Sequence, residues 1–219
     1  MTHPHNIPGF IIAGGKSDRM GGIPKGLLAL GDRPILTRVL DRFSPQVTSI
    51  SINSNLPAAK FQEFGVPVFA DRGPADAGPL SGLLSCLCYA AEMRTDSEWI
   101  ATVPWDCPFV PLDLIDRLAS AAVNADAAIA ISGDHQHPLA ALWRRALLPK
   151  LTQTFDSHGV RSMKGWLTHI NAAQVPFSAE PIDPFFNINT PDDLARAEEL
   201  AKNLGIDGKG EENGTASPN

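Results

Sequence analysis

Between Gly14 and Gly26 the chain sets five glycines among Lys16, Arg19 and Lys25, with Pro24 directly before the last lysine. Glycine lets a backbone approach a ligand closely, and successive N–H groups in such a loop form a nest for anions. Arginine and lysine add charge suited to phosphate oxygens. The chemistry that fits is the binding of a triphosphate. The alternative is a surface turn with solvated cations, and the crowding of cations into so short a glycine-rich stretch argues against it. Two better-known phosphate loops do not match. Gly15-Lys16-Ser17 would need a glycine five positions before Gly15, where Phe10 stands, and the GxGxxG spacing of a dinucleotide site is absent.

These residues need elements to position them. The apolar run 9–13 reads as a buried strand opening onto the glycine-rich loop. Pro34 opens a helical pattern with Ile35, Leu36, Val39, Leu40 and Phe43 on one face. Strands are predicted over 47–52, 66–70, 99–103 and 127–131, and helices over 58–64, 80–93 and 112–123. Beyond residue 131 the pattern is less regular, with a strand expected over 138–143 and short helices over 147–155 and 162–167. Thr190, Pro191, Asp192 and Asp193 have the order expected at a helix start. Strands alternating with helices imply an α/β fold of three layers with a mostly parallel central sheet. Ligands in such sheets sit beyond the strand C-terminal ends. Four of those ends deliver the glycine-rich loop, Asn53, Asp71 and Asp106, the makings of a nucleotide and metal site.

Composition sets limits. The net charge of −6 over 219 residues argues against broad nucleic-acid or anionic-membrane binding, which calls for a basic surface. Three cysteines, Cys86, Cys88 and Cys107, are too few for a disulfide framework and lack zinc-site spacing. No apolar run approaches the ~20 residues of a membrane span and no signal peptide is visible, so a cytoplasmic protein is expected. Residues 9–203 are expected to form one domain, its N-terminal part binding nucleotide and its C-terminal part completing an acceptor site. The polar stretch 204–219 is expected to be a disordered tail.

The segment Ile12-Ala13-Gly14-Gly15, then Arg19-Met20-Gly21-Gly22, then Lys25-Gly26-Leu27-Leu28 resembles the nucleotidyltransferases that share a Rossmann-like fold. Its Arg-Met-Gly-Gly and Lys-Gly-Leu pieces look most like the molybdenum cofactor guanylyltransferase (MobA) family. Further likenesses are Asn53-Ser54-Asn55, Gly78-Pro79-Leu80-Ser81-Gly82 after Asp71, Asp106-Cys107-Pro108-Phe109, His137-Pro138-Leu139 and Phe186-Asn187-Ile188-Asn189-Thr190-Pro191. They span about residues 9 to 200. Pro24 and Leu56 stand where the family usually has an acidic residue and often an arginine.

The resemblance implies transfer of GMP from GTP to the phosphate of molybdopterin, with Mg²⁺ as cofactor. Asp106, at a strand end between prolines, is the candidate Mg²⁺ ligand, since Mg²⁺ takes one or two carboxylates and fills its shell with water and phosphate oxygens. Lys25 and Arg19 are the candidate catalytic cations, Lys25 for charge near the α-phosphate or the acceptor phosphate and Arg19 for the β- and γ-phosphates. By the same resemblance Ile12, Ala13 and Gly14 contact nucleotide through their backbone, and Asn53 and Asp71 serve guanine and ribose. Asn187 and Asn189 are candidates for the acceptor or the metal, or are plain caps and turn residues. A phosphate monoester needs no strong general base, so His137 and His158 are read as structural. A monomer is expected, with molybdoenzymes or an accessory GTP-binding protein as partners beyond the substrates. The rival readings are a cytidylyltransferase of the same superfamily and a non-catalytic GTP-binding adaptor.

Overall fold

A computed structural model describes residues 6–14, 23–73, 78–93, 95–203 and 205. The strands are β1 (Pro8–Ile12), β2 (Ala29–Leu30), β3 (Arg33–Pro34), β4 (Ser49–Asn53), β5 (Val68–Phe69), β6 (Trp99–Pro104), β7 (Ala127–Ser132), β8 (His135–Arg144) and β9 (Ala172–Phe177). The helices are α1 (Ile35–Phe43), α2 (Pro79–Glu92), α3 (Leu114–Ala121), α4 (Leu148–His158), α5 (Met163–Leu167) and α6 (Pro191–Asn203). Seven strands form one sheet in the order β5-β4-β1-β6-β8-β7-β9. All of its pairings are parallel except those of β8, which runs against both β6 and β7.

The period-two alternation of buried strands builds two cores, one on each face. On β1, Ile11 packs to one side and Phe10 and Ile12 to the other; on β8, Ala140 and Leu142 oppose Ala141 and Trp143. One face is covered by α1, α3 and α6 through residues such as Leu36, Leu118 and Ala197. The other is covered by α2, α4 and α5 through residues such as Leu83, Leu151 and Trp166. This is the three-layer α/β architecture expected, with buried parallel strands at its centre. Among the described residues, no helix is long and apolar enough to cross a membrane.

The helix expected over 58–64 is present, as the 3₁₀ helix Ala58–Phe64. Two differences from expectation have physical causes. Strand β9 was not anticipated: it lies at the sheet edge, pairs among the described residues only with β7, and carries Pro176, which an edge tolerates. The hairpin of β2 and β3 was also missed. Its two-residue turn is Gly31-Asp32, with Gly31 at φ 67°, a conformation glycine adopts without steric cost. Buried Arg38 of α1 donates from both Nε and Nη2 to the Leu30 carbonyl and so ties that hairpin to the helix. Of the expected tail, only Gly205 lies among the described residues.

Candidate active site

The strand C-terminal ends gather most of the residues singled out by sequence. Parallel register places Ile12 opposite both Asn53 and Pro104, so the ends of β4, β1 and β6 lie side by side. Asn53 in turn is level with Phe69, two residues before Asp71. The Ala13 N–H donates to the Asn53 carbonyl at 2.8 Å and the Trp105 N–H to the Ile12 carbonyl at 3.3 Å, which fixes the chain as it leaves each strand.

Lys25 stands on a 3₁₀ turn, Lys25–Leu27, entered from Pro24 in extended conformation. The turn is pinned by Leu27 N–H to the Pro24 carbonyl and, one step on, by Ile35 N–H of α1 to the Leu28 carbonyl, both at 2.9 Å. Its ammonium donates to Asn189 Oδ1 and lies 3.8 Å from Asp106 Oδ2. The two charged side chains are only 14% and 13% exposed, so bulk solvent screens them weakly. Burial raises the pKa of the Asp106 carboxyl, and Lys25 opposes the rise.

The segment 185–189 closes this end of the site. Ile188 N–H donates to the Asp106 carbonyl at 3.1 Å, and Cys107 Sγ meets Asn187 Oδ1 and the Phe185 carbonyl. Its far end is anchored by the start of α6, where Thr190 Oγ accepts from Asp193 N–H and Asp193 Oδ2 accepts from Asn189 and Thr190 N–H. The expected cap at Thr190 is thus present. Lys25, Asp106, Asn187 and Asn189 come together although 164 residues separate the first from the last.

Two cavities lie at these strand ends. A cleft of about 570 Å³ runs from Gly14, Lys25 and Asp106 past Asn187 to His137, Leu139 and Met163. A smaller pocket of about 190 Å³ is lined by Ala13, Gly14, Asn53, Asn55, Asp71 and Trp105. Gly14 and Trp105 belong to both. Asp71 is held by Asn55, whose amide donates to Asp71 Oδ2 at 2.9 Å and accepts from Asp71 N–H at 2.8 Å. Among the described residues Asn53 Nδ2 and Trp105 Nε1 are buried donors without a partner. Such donors are costly unless something supplies an acceptor.

The cleft lies where β8 parts from β6. Pairing of β6 with β8 stops at Thr102–Ala141, and the β7–β8 register jumps from Ile129–Ala141 to Ala130–His137. Residues 138–140 are the surplus of this irregularity, and Pro138, without an N–H, suits it. His137, read as structural from the sequence, lies on the cleft wall.

Arg19 and residues 15–22 of the glycine-rich loop lie outside the described residues, as does the side chain of His158. Sequence reasoning overlooked Trp105, Cys107 and Phe185. The first two flank Asp106 in sequence, which was the available signal; Phe185 carried none.

An open α/β sheet that gathers Gly14, a lysine, a carboxylate and amides beyond its strand ends has the setting of a nucleotide site, and the class it fits is the nucleotidyltransferases. The comparisons sharpen that class. The family model described as MobA-like NTP transferase domain matches residues 9–172. The molybdenum cofactor guanylyltransferase of Rhodopseudomonas palustris (strain BisB5) is 40% identical over 201 residues, 91% of this chain and 95% of that protein. Its counterpart in Nitrobacter hamburgensis is 40% identical over 195 residues, 88% and 93% of the two chains. The crystal structure of molybdopterin-guanine dinucleotide biosynthesis protein A from Archaeoglobus fulgidus superposes with a TM-score of 0.70 at 25% identity, covering 90% of this chain and all of that one. The chain belongs to the MobA-like NTP transferase family.

Proposed function

We infer that this protein transfers GMP from GTP to the phosphate of molybdopterin, in free or metal-loaded form, giving the guanine dinucleotide cofactor and pyrophosphate. The observation that carries the reading is the Lys25–Asp106–Asn189 cluster at the larger cleft, which shares Gly14 and Trp105 with a small pocket whose lining residues Asn53 and Trp105 hold orphaned donors. Guanine offers acceptors to the Asn53 amide and N–H groups to the Asp71 carboxylate. The triphosphate follows the backbone of Ile12, Ala13 and Gly14, with Arg19 assigned to its β- and γ-phosphates. An acceptor phosphate oxygen then attacks the α-phosphorus, the bond to the bridging oxygen breaks, and pyrophosphate leaves.

Such a reaction depends chiefly on positioning and on stabilising charge. Lys25, held by Asn189 and Asp106, places its ammonium where negative charge builds. The donor set suits a hard divalent cation. Asp106 is a single, largely but not fully buried carboxylate, and among the described residues no three His, Cys, Asp or Glu form a metal cage. Mg²⁺, which takes most of its shell from phosphate oxygens and water, fits that arrangement with Asp106 as its protein ligand. When bound, the ion neutralises phosphate charge.

The test is thermal unfolding with Mg²⁺ and GTP, CTP, ATP or UTP at equal concentration, followed by turnover with molybdopterin. A ligand at 100 times its Kd stabilises by about 2.7 kcal/mol, enough to move the midpoint by several degrees. GTP alone is expected to produce the shift. A shift with CTP alone replaces guanylyl by cytidylyl transfer, and GTP binding without turnover supports the adaptor reading.

A further inference from the structure

The far half of the cleft contains side chains with no task in the scheme above. The His137 ring stacks on Phe185 with centroids 4.6 Å apart and 29° between planes, and both line the cleft. His137 Nε2 is 2.7 Å from Ser132 Oγ, and that hydroxyl donates to Asp183 Oδ1 at 2.9 Å. The same oxygen of Asp183 accepts the Phe185 N–H at 2.9 Å. A carboxylate only accepts, and a hydroxyl has one proton to give. Once Ser132 has given its proton to Asp183, its oxygen can only accept from the imidazole. Neutral His137 therefore carries its proton on Nε2 and a lone pair on Nδ1. Burial lowers the His137 pKa, His135 acts in the same direction and Asp183 against it. Among the described residues Nδ1 has no partner.

Packing alone does not require a two-step chain of hydrogen bonds that fixes a proton on one ring nitrogen. The chain is also joined to the reaction centre. The Phe185 carbonyl is 3.5 Å from Cys107 Sγ, next in sequence to Asp106, and Asn187 meets the same sulfur. The β8 irregularity begins directly after His137, where the strand departs from β6.

We propose that His137 is a specificity-determining residue for the acceptor: its Nδ1 accepts a hydrogen bond from an N–H of the acceptor's nitrogen heterocycle, while Ser132 and Asp183 are positioning residues that hold the tautomer. The proposal rests on the guanylyl-transfer reading, whose acceptor carries a pterin with ring and exocyclic N–H groups.

The test compares wild type with His137→Asn and His137→Gln. The Asn amide puts a hydrogen-bonding atom where Nδ1 stands, and the Gln amide where Nε2 stands. His137→Gln is expected to raise acceptor KM and Kd roughly tenfold, the size of one lost hydrogen bond, with GTP affinity and kcat at saturating acceptor unchanged. His137→Asn is expected to recover most of the loss. Equal losses in the two variants, an unchanged acceptor KM in His137→Gln, or a fall in kcat alone each overturn the assignment. Calorimetric titration of molybdopterin separates this idea from the one beneath it. Wild type that binds molybdopterin without turnover overturns guanylyl transfer, and the Kd values of the variants then decide on His137; wild type that does not bind it overturns both. Should His137→Gln fail to fold, Ser132→Ala releases Nε2 and leaves the ring in place. It is expected to weaken acceptor binding several-fold, and unchanged binding overturns the relay.

Discussion

Asp106 is a carboxylate whose place costs the folded chain something. Burial disfavours its ionised form, and the ammonium 3.8 Å away offsets that only in part, because the net shift of the pKa is upward. A carboxyl with a raised folded pKa is destabilising above that pKa and neutral in effect below the ordinary carboxylate value of 3.8. In metal-free buffer, Asp106→Asn is therefore expected to raise the unfolding temperature at pH 7. The advantage should shrink as pH falls through the raised pKa toward 3.8, and a variant less stable than wild type at pH 7 would refute the argument. Turnover should drop by roughly 100- to 1000-fold, the usual loss when a charge-stabilising group is removed from a transition state. Asp106 and Lys25 were legible in the sequence because strand ends and glycine-rich loops announce such residues. Trp105 was not: an indole between Pro104 and Asp106 reads as core, and only the fold shows that it walls two cavities.

At the scale of elements, α2 shows how a glycine can be placed by a neighbour rather than by a turn. A Cβ on Gly82 would sit 2.8 Å from Asn53 Oδ1 and 2.9 Å from Ile12 Cγ2, so the helix can approach β1 and β4 only without a side chain there. Helix propensity alone would make Gly82→Ala stabilising by about 1 kcal/mol. Overpacking against Asn53 and Ile12 costs about 1–3 kcal/mol and opposes it. The expected outcome is a protein of equal or lower stability in denaturant, with weakened GTP binding because Asn53 must give way. Clear stabilisation with unchanged GTP affinity would show that the contact relaxes freely. Gly82 stood out in the sequence as part of Gly78-Pro79-Leu80-Ser81-Gly82, but its cause is tertiary and could not be read there. The same limit applies to β8. An apolar run marked the strand, while the register jump at Ile129/Ala130 beside the cleft depends on what β6 and β7 each pair with.

For the whole molecule, the alternation of strands and helices up to residue 131 was plain because buried parallel strands are short, apolar and regularly interrupted. The part beyond residue 131 was harder to read, since it holds the strand that runs against its neighbours and an edge strand carrying proline. We propose that residues 9–203 unfold as a unit, because the same strands contribute side chains to both cores. Trp105 belongs to one core and Trp143 and Trp166 to the other. Tryptophan fluorescence and far-ultraviolet circular dichroism should then give superimposable unfolding curves, and two separated transitions would sink the proposal. The order of the chain has one further consequence. Every described residue of the smaller pocket has been synthesised by Trp105, whereas Asn187 and Asn189, which touch Cys107 and Lys25, belong to the last stretch before α6. A nascent chain thus carries the small-pocket residues long before it carries Asn187 and Asn189, and the lysine–carboxylate cluster cannot be completed until translation is nearly finished.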